Sequence, residues 1–322
     1  MRIAAIVLGV VLVLAVAVLA AALAFDSPVR PPPMAFAQYG SPVADKDLPP
    51  VATYRARDGA LLAYRAYLPS GDVKKVAVLV HGSSGSSRSV HFLAEGLRDA
   101  GIAAYALDIR GHGDSGRRGD IDYIGQLEDD LEDFVHVIAP RHPGVPLVLV
   151  GHSAGGGFVL RVAGGPRGEL FDGYVLLAPY LRYDAPTERE GNAHWAVPAV
   201  PRFIALTLLR RLGLTWFQGL PVLAFAVDPA HEEHRTVTYS YRLQVNFGAG
   251  WDYLAAARGI RRPAILLVGA EDELFDAQQY APLLKPQQPR LEVEIVPGLT
   301  HMGIVKMPPG IDAVKAAVLR LP

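Results

Sequence analysis

Cysteine is absent from all 322 residues. That excludes disulfides, thiolate metal centres, a cysteine nucleophile and a lipid anchor attached through a lipobox. Charge is sparse and balanced, with 20% charged residues and a formal net charge of −1. The basic residues form no long run, so the electrostatic footprint of a nucleic-acid partner is missing. Internal repeats and low-complexity tracts are also lacking. What the chain has in quantity is apolar character, 51% of its residues. That is enough for one large core and a modest insertion.

The apolar excess begins at the N-terminus. From Ile3 to Phe25 no side chain is charged or strongly polar. As a helix this run spans roughly 34 Å, sufficient for the hydrocarbon layer of a bilayer. Arg2 precedes it and Asp26 follows, a bias that favours a cytoplasmic N-terminus and an extracytoplasmic globular part. Residues 1–26 therefore read as a single-pass membrane anchor. The alternative is a cleaved signal peptide and secretion, because Ala22-Leu23-Ala24 and Ala35-Phe36-Ala37 both have the small-x-small look of a cleavage site. A signal-peptide apolar region is usually shorter, about 7–15 residues. Residues 27–50 are a linker, its first part (SPVRPPP) a stiff, extended spacer.

Beyond the linker the pattern alternates. Two β-prone runs, 51–57 and 61–68, flank Asp58-Gly59, a hairpin signal. Short, continuous apolar runs at 76–80, 102–107, 147–150, 174–177, 265–268 and 291–296 fit strands buried on both faces of a parallel sheet. Segments 90–100, 124–138, 154–163, 277–284 and 311–321 fit the helices between and after them. The expected fold is α/β, a mostly parallel central sheet with an antiparallel start and helices on both faces. Residues 181–261 break the alternation and are too long for a structureless loop. They read as a mainly helical cap inserted into a core of 51–180 and 262–322. Its apolar segments 203–212 and 220–227 either pack on the core or line a channel for a greasy substrate.

Chemistry concentrates at turns after strands. Gly151-His152-Ser153-Ala154-Gly155 is the one G-x-S-x-G in the chain. It lies between a strand and a helix, the placement that exposes a nucleophilic serine on a strained corner. The bland alternative is a Gly-rich turn with Ser153 as an N-cap. A serine hydroxyl needs a base, and His301, in the loop after the last strand, is the sole histidine beyond His234. The carboxylate that orients it should follow the strand at 265–268. Glu271, Asp272 and Glu273 are all in reach; Asp272 is the choice, with Asp276 a helix cap and Asp184 a fallback. The order Ser, Asp, His matches one of the known serine-hydrolase arrangements and neither of two others. Backbone donors for an oxyanion are expected from Ala154 and from Ser83, in the His81-Gly82-Ser83-Ser84-Gly85 turn.

Asp108-Ile109-Arg110-Gly111-His112-Gly113-Asp114-Ser115 resembles the D-x-R-G-H-G-x-S loop of the monoacylglycerol lipase and lysophospholipase branch of the α/β-hydrolases. With His81-Gly82, the elbow at Ser153, Asp272 and His301, the resemblance covers residues 51–322. It implies ester hydrolysis through an acyl-enzyme with no metal or organic cofactor. Arg110, His112 and Asp114 are expected to buttress their loop. The expected partners are a small-molecule ester or lipid substrate and the membrane; the sequence fixes no oligomeric state. Other enzymes on the scaffold are thioesterase, acyltransferase and peptidase, and a catalytically silent binding protein is a different class. His231-Glu232-Glu233-His234 looks like a zinc helix, but its histidines are spaced i,i+3 rather than i,i+4. It reads as a solvated turn, as the acidic stretch 128–133 reads as an outer helix face.

Overall fold

A computed structural model describes residues 2–34, 45–189 and 195–322. Ala35-Phe36-Ala37 lies outside the described residues. The apolar N-terminal run is a single helix, α1 (Arg2–Phe25), with none of its residues buried. It ends where Asp26-Ser27-Pro28 begins, because a residue before proline is disfavoured in the helical region.

The core is an eight-stranded sheet of order β1-β2-β4-β3-β5-β6-β10-β11. Strands β1 (Val51–Arg55) and β2 (Leu61–Tyr67) form the antiparallel hairpin. Gly59 supplies the positive φ of 86° that the turn needs, and Asp58 Oδ1 accepts the Ala60 N–H at 3.0 Å. β2 then pairs antiparallel with β4 (Ile102–Leu107). The pairs among β4, β3 (Lys75–Val80), β5 (Leu147–His152), β6 (Gly173–Leu177), β10 (Ala264–Gly269) and β11 (Glu292–Val296) are all parallel.

Every residue of β4, β5, β6 and β10 is buried. Their continuous apolar runs are explained by helices on both faces. On one face, Val76, Val78 and Val80 pack with Leu131 and Phe134 of α3 (Gln126–Ile138) and Phe158 of α4 (Ala154–Gly164). On the other, Ala77 and Leu79 pack with Leu93 and Leu97 of α2 (His91–Asp99). Three residues of the last helix (Pro308–Arg320) join that second layer: Val314, Ala317 and Val318.

Between β6 and β10 lie β7 (Ala196–Pro198), α5 (Val200–Arg211), β8 (Pro221–Phe225), β9 (Thr238–Ser240), α6 (Tyr241–Asn246) and α7 (Tyr253–Gly259). Two features differ from the sequence reading. The apolar segment 220–227 is not a helix but the central strand of a three-stranded antiparallel sheet, β7-β8-β9. It is short, opens on Pro221 and is flanked by irregular chain, which favours a strand over a helix. Second, α7 packs on the core helix α4 rather than on the cap. A Cβ at Gly164 would lie 1.8 Å from the Ala256 carbonyl oxygen, so only glycine permits that approach. The segment Pro229–His234, which carries the two histidines spaced i,i+3, is a 3-10 turn and not an α-helix.

Candidate active site

The site is assembled at the C-terminal ends of β3, β5 and β10 and in the loop after β11. Ser153 stands between β5 and α4 with φ 56° and ψ −121°, a strained conformation for a residue with a Cβ. The flanking glycines make the corner possible. A Cβ at Gly151 would lie 2.3 Å from the Gly155 carbonyl oxygen, and one at Gly155 would lie 2.3 Å from that of His81. Ser153 is tied down through its backbone, its N–H donating to Leu177 O at 2.9 Å.

His301 and Asp272 meet directly. Nδ1 of His301 donates to Asp272 Oδ2 at 2.8 Å, with both residues buried. A carboxylate only accepts, so this bond places the proton on Nδ1 and leaves Nε2 as the basic nitrogen. The other carboxylate oxygen, Oδ1, accepts the N–H groups of Leu274 and Phe275 at 2.9 Å each. Burial works against charge on Asp272, but His301 and these donors hold its pKa below the usual carboxylate value. Burial likewise opposes charge on His301, and the Asp272 carboxylate more than offsets it, so the imidazole pKa is raised above 6.5.

His301 and the elbow are joined through their neighbours. Nε2–H of His152 donates to the His301 carbonyl at 3.0 Å, and the two rings lie 4.6 Å apart. Burial, and the adjacent His301, push the His152 pKa down to about 3, so it remains a neutral donor. Among the described residues the side chains of Ser153 and His301 are not hydrogen-bonded to each other. Such contacts commonly tighten only when substrate is bound.

Two of the other acidic candidates lie elsewhere. Asp276 caps the turn after it by accepting the Gln278 N–H at 3.0 Å, and Asp184 pairs with Arg182 at the surface. Glu273 has a part the sequence did not indicate. Its Oε2 accepts the backbone N–H of His301 at 2.8 Å, so the two adjacent acids hold one histidine, one by its ring and one by its main chain.

The sequence model of a hydrolase family described as serine aminopeptidase S33 matches residues 71–305. The chain belongs to that family. Within it, the chain is an α/β-hydrolase of the monoacylglycerol-lipase-like branch. A monoacylglycerol lipase of Mycolicibacterium smegmatis is 27% identical over 260 residues, 76% of this chain and 86% of that enzyme. A mouse monoglyceride lipase is 33% identical over a shorter stretch, 38% of this chain and 41% of the relative. Among solved structures, a soluble variant of the Saccharomyces cerevisiae monoglyceride lipase shares the fold with a TM-score of 0.64. It is 19% identical, over 87% of this chain and 97% of that one.

In this hydrolase the turn after β3 lies against the elbow. A Cβ at Gly82 would come within 3.0 Å of the Ser153 Cβ, which brings the next residue, Ser83, beside Ser153. Among the described residues neither the Ser83 nor the Ala154 N–H donates to a backbone carbonyl. His81 joins this turn to the 108–115 loop: Nδ1–H donates to Gly82 O at 2.7 Å and Nε2 accepts from Ile109 N–H at 3.3 Å. Burial lowers its pKa to about 4, which keeps it neutral for both bonds. Arg110 reaches away from the site to Asp130 at 2.7 and 2.8 Å, and to Asp58 at 2.9 Å.

The insertion grips the same turn from above. Trp195 Nε1–H donates to Ser83 Oγ at 3.0 Å. Tyr239, on β9, accepts the Ser84 N–H at its hydroxyl oxygen, 2.7 Å away, and that hydroxyl lies 2.5 Å from His112 Nε2. Thr236 N–H donates to Ser84 O at 3.1 Å. Ser84 itself has a φ of 62°, so its two partners from the insertion, Tyr239 and Thr236, stabilise a conformation its own backbone disfavours. Sequence reasoning missed these residues. The available signal was the β-prone run 236–240, a strand whose target nothing local specifies.

Proposed function

We propose that the chain is a serine hydrolase of carboxylic esters, acting through an acyl-enzyme, with a monoacylglycerol or lysophospholipid as substrate. The observation that carries the reading is the 2.8 Å bond from His301 Nδ1 to Asp272, because it leaves the distal nitrogen free to accept a proton. Ser153 Oγ attacks the ester carbonyl and gives its proton to His301 Nε2. The N–H groups of Ala154 and Ser83 hold the oxyanion. Collapse expels the alcohol, which takes the proton from His301. Water then gives a proton to His301 and attacks the acyl carbon, and Ser153 leaves with that proton as the acid is released.

The lipid part of the reading draws on the monoacylglycerol lipase relative and on α1, a helix long and apolar enough to cross a membrane. In this reading α1 anchors the chain, with the hydrolase domain on the extracytoplasmic side. A second reading, release of N-terminal residues from peptides, draws on the family's description.

Labelling with a fluorophosphonate, followed by a panel of monoacylglycerols, lysophospholipids, short soluble esters and aminoacyl arylamides, tests both. Labelling that Ser153→Ala abolishes, with hydrolysis of the lipid esters, is the expected outcome. Turnover confined to arylamides favours the peptidase. A folded wild type that neither labels nor turns over any ester rejects both in favour of a binding role.

A further inference from the structure

Two arginines beside the hairpin are about equally buried, Arg110 at 6% exposed and Arg65 at 8%, but they are satisfied differently. Arg110 has the carboxylates of Asp130 and Asp58. Among the described residues Arg65 has no ion pair. Its guanidinium donates to the Pro49 carbonyl, and its buried Nε has no acceptor. A guanidinium that deep is seldom left without an anion, because burial raises the cost of an uncompensated charge.

The surroundings of Arg65 indicate where an anion would sit. Arg65 lines a small cleft together with Arg88, Arg118 and His234. Asp108 and Asp114 also border it. Both oxygens of Asp108 are committed to the backbone, accepting the Ser87 N–H at 2.6 Å and the Asp114 N–H at 3.0 Å. Asp114 is exposed. Three guanidiniums against two carboxylates leave an excess of positive charge. Guanidinium groups match phosphate oxygens in geometry as well as in charge.

The cleft adjoins the candidate active site. Ser86 and Ser87 form part of its wall, and Ser86 follows Ser83 by three residues, a reach of at most about 11 Å. His234, on the opposite wall, stands two residues before Thr236, whose N–H donates to Ser84 O at 3.1 Å. Positive charge continues from there toward the His301 loop. Lys306 ends the short helix Gly303–Lys306, five residues after His301. Burial, and then the nearby Arg235, push its pKa down to about 8. In a lysophospholipid one glycerol unit separates the ester carbonyl from the phosphorus, a span within that reach.

We propose that this cleft binds the phosphate of a lysophospholipid headgroup while the ester lies at Ser153, so that the substrate is the phosphate-bearing one of the two lipid classes. This rests on the ester-hydrolase reading of the same site.

The test compares two esters that differ in the phosphate alone, monooctanoylglycerol and its 3-phosphate, with the full chain in nonionic detergent. Wild type should favour the 3-phosphate in kcat/KM. Arg65→Gln should lower that preference about 10- to 100-fold, mainly through KM, and Arg65→Lys, which keeps the charge, should restore part of it. Arg118→Gln, at the exposed rim, should lower it roughly threefold, and carries the comparison if Arg65→Gln does not fold. Arg261→Gln removes a surface charge paired with Glu169, before β10 and so at the other end of the sheet, and should leave the preference in place. A preference that survives both Arg65→Gln and Arg118→Gln puts the phosphate elsewhere and overturns the cleft. Equal kcat/KM for the two esters overturns the headgroup site while the ester-hydrolase reading stands. Equal kcat/KM with a rise in Tm on adding inorganic phosphate, lost in Arg118→Gln, assigns the cleft to free phosphate and also overturns it. Turnover of neither ester overturns the underlying reading and the proposal with it.

Discussion

Two regions meet at Ser83, and they contribute in different ways. From below come the strand ends: the elbow after β5, the Asp272 turn after β10 and the His301 loop. Each of these is a short local segment whose residue types announce their chemistry. From above comes the insertion, which supplies Trp195, Thr236 and Tyr239. In the proposed reading none of these takes part in proton transfer; all three hold the turn proposed to offer an oxyanion donor. In that reading the core holds the groups that move protons, and the insertion holds the geometry of a group that does not. If that division is right, damage to the two regions should differ in size and in kind.

The largest effect belongs to the core. Ser153→Ala should lower kcat by about 10⁴- to 10⁶-fold and abolish fluorophosphonate labelling, while the thermal midpoint changes little. Asp272→Asn comes next, at roughly 10³- to 10⁴-fold in kcat. The amide can donate as well as accept, so the imidazole is free to take the wrong tautomer. Its Oδ1 would still accept from Leu274 and Phe275, which separates lost chemistry from a collapsed turn. Retained near-UV circular dichroism with lost turnover is the expected pair of readings. Turnover within tenfold of wild type would place the orienting carboxylate elsewhere.

Tyr239→Phe tests the insertion. The change leaves the Ser84 N–H and His112 Nε2 without the hydroxyl that joins them, and both residues are fully buried. Each buried polar group left unpaired costs about 1–3 kcal/mol, so the melting temperature should fall. A complete oxyanion donor is worth about 10²–10³ in kcat. A donor that is displaced but present should cost a fraction of that, roughly tenfold, with KM little changed. Loss of stability with kcat intact would show that the insertion merely covers the site.

The same division explains what could be read beforehand. The strands at 102–107 and 147–152, the hairpin at Asp58-Gly59 and the elbow at Ser153 depend on residues adjacent in sequence, so their pattern is visible there. The pairing of Asp272 with His301 spans 29 residues, but each falls in a turn directly after a strand, and strand order limits the choices. Tyr239 reaches Ser84 across 155 positions, and no periodicity or motif connects them. Segment 220–227 reads as part of a mainly helical cap, yet Pro221–Phe225 is a strand, for a related reason. A short apolar run takes its conformation from partners, and here Ala196–Pro198 and Thr238–Ser240 recruit it into a sheet.

The smallest effect should separate the two acids that hold His301. Protonated His301 cannot take the Ser153 proton, so kcat/KM must fall as pH drops through the imidazole pKa, which lies above 6.5 in the folded chain. Burial opposes charge on the ring, Asp272 raises the pKa most, and Glu273 adds to the rise. Glu273→Gln keeps an oxygen able to accept the His301 N–H but removes a negative charge. Less stabilisation of the imidazolium lowers its pKa, so the acid limb of kcat/KM should move to lower pH while the plateau at high pH stays near wild type. Asp272→Asn would move the limb the same way but with the plateau lost, because that residue also sets the tautomer. A limb that shifts upward, or stays in place in Glu273→Gln, would mean that the titrating group governing turnover is not His301. The assignment of the base would then have to be sought among the other buried histidines around Ser153.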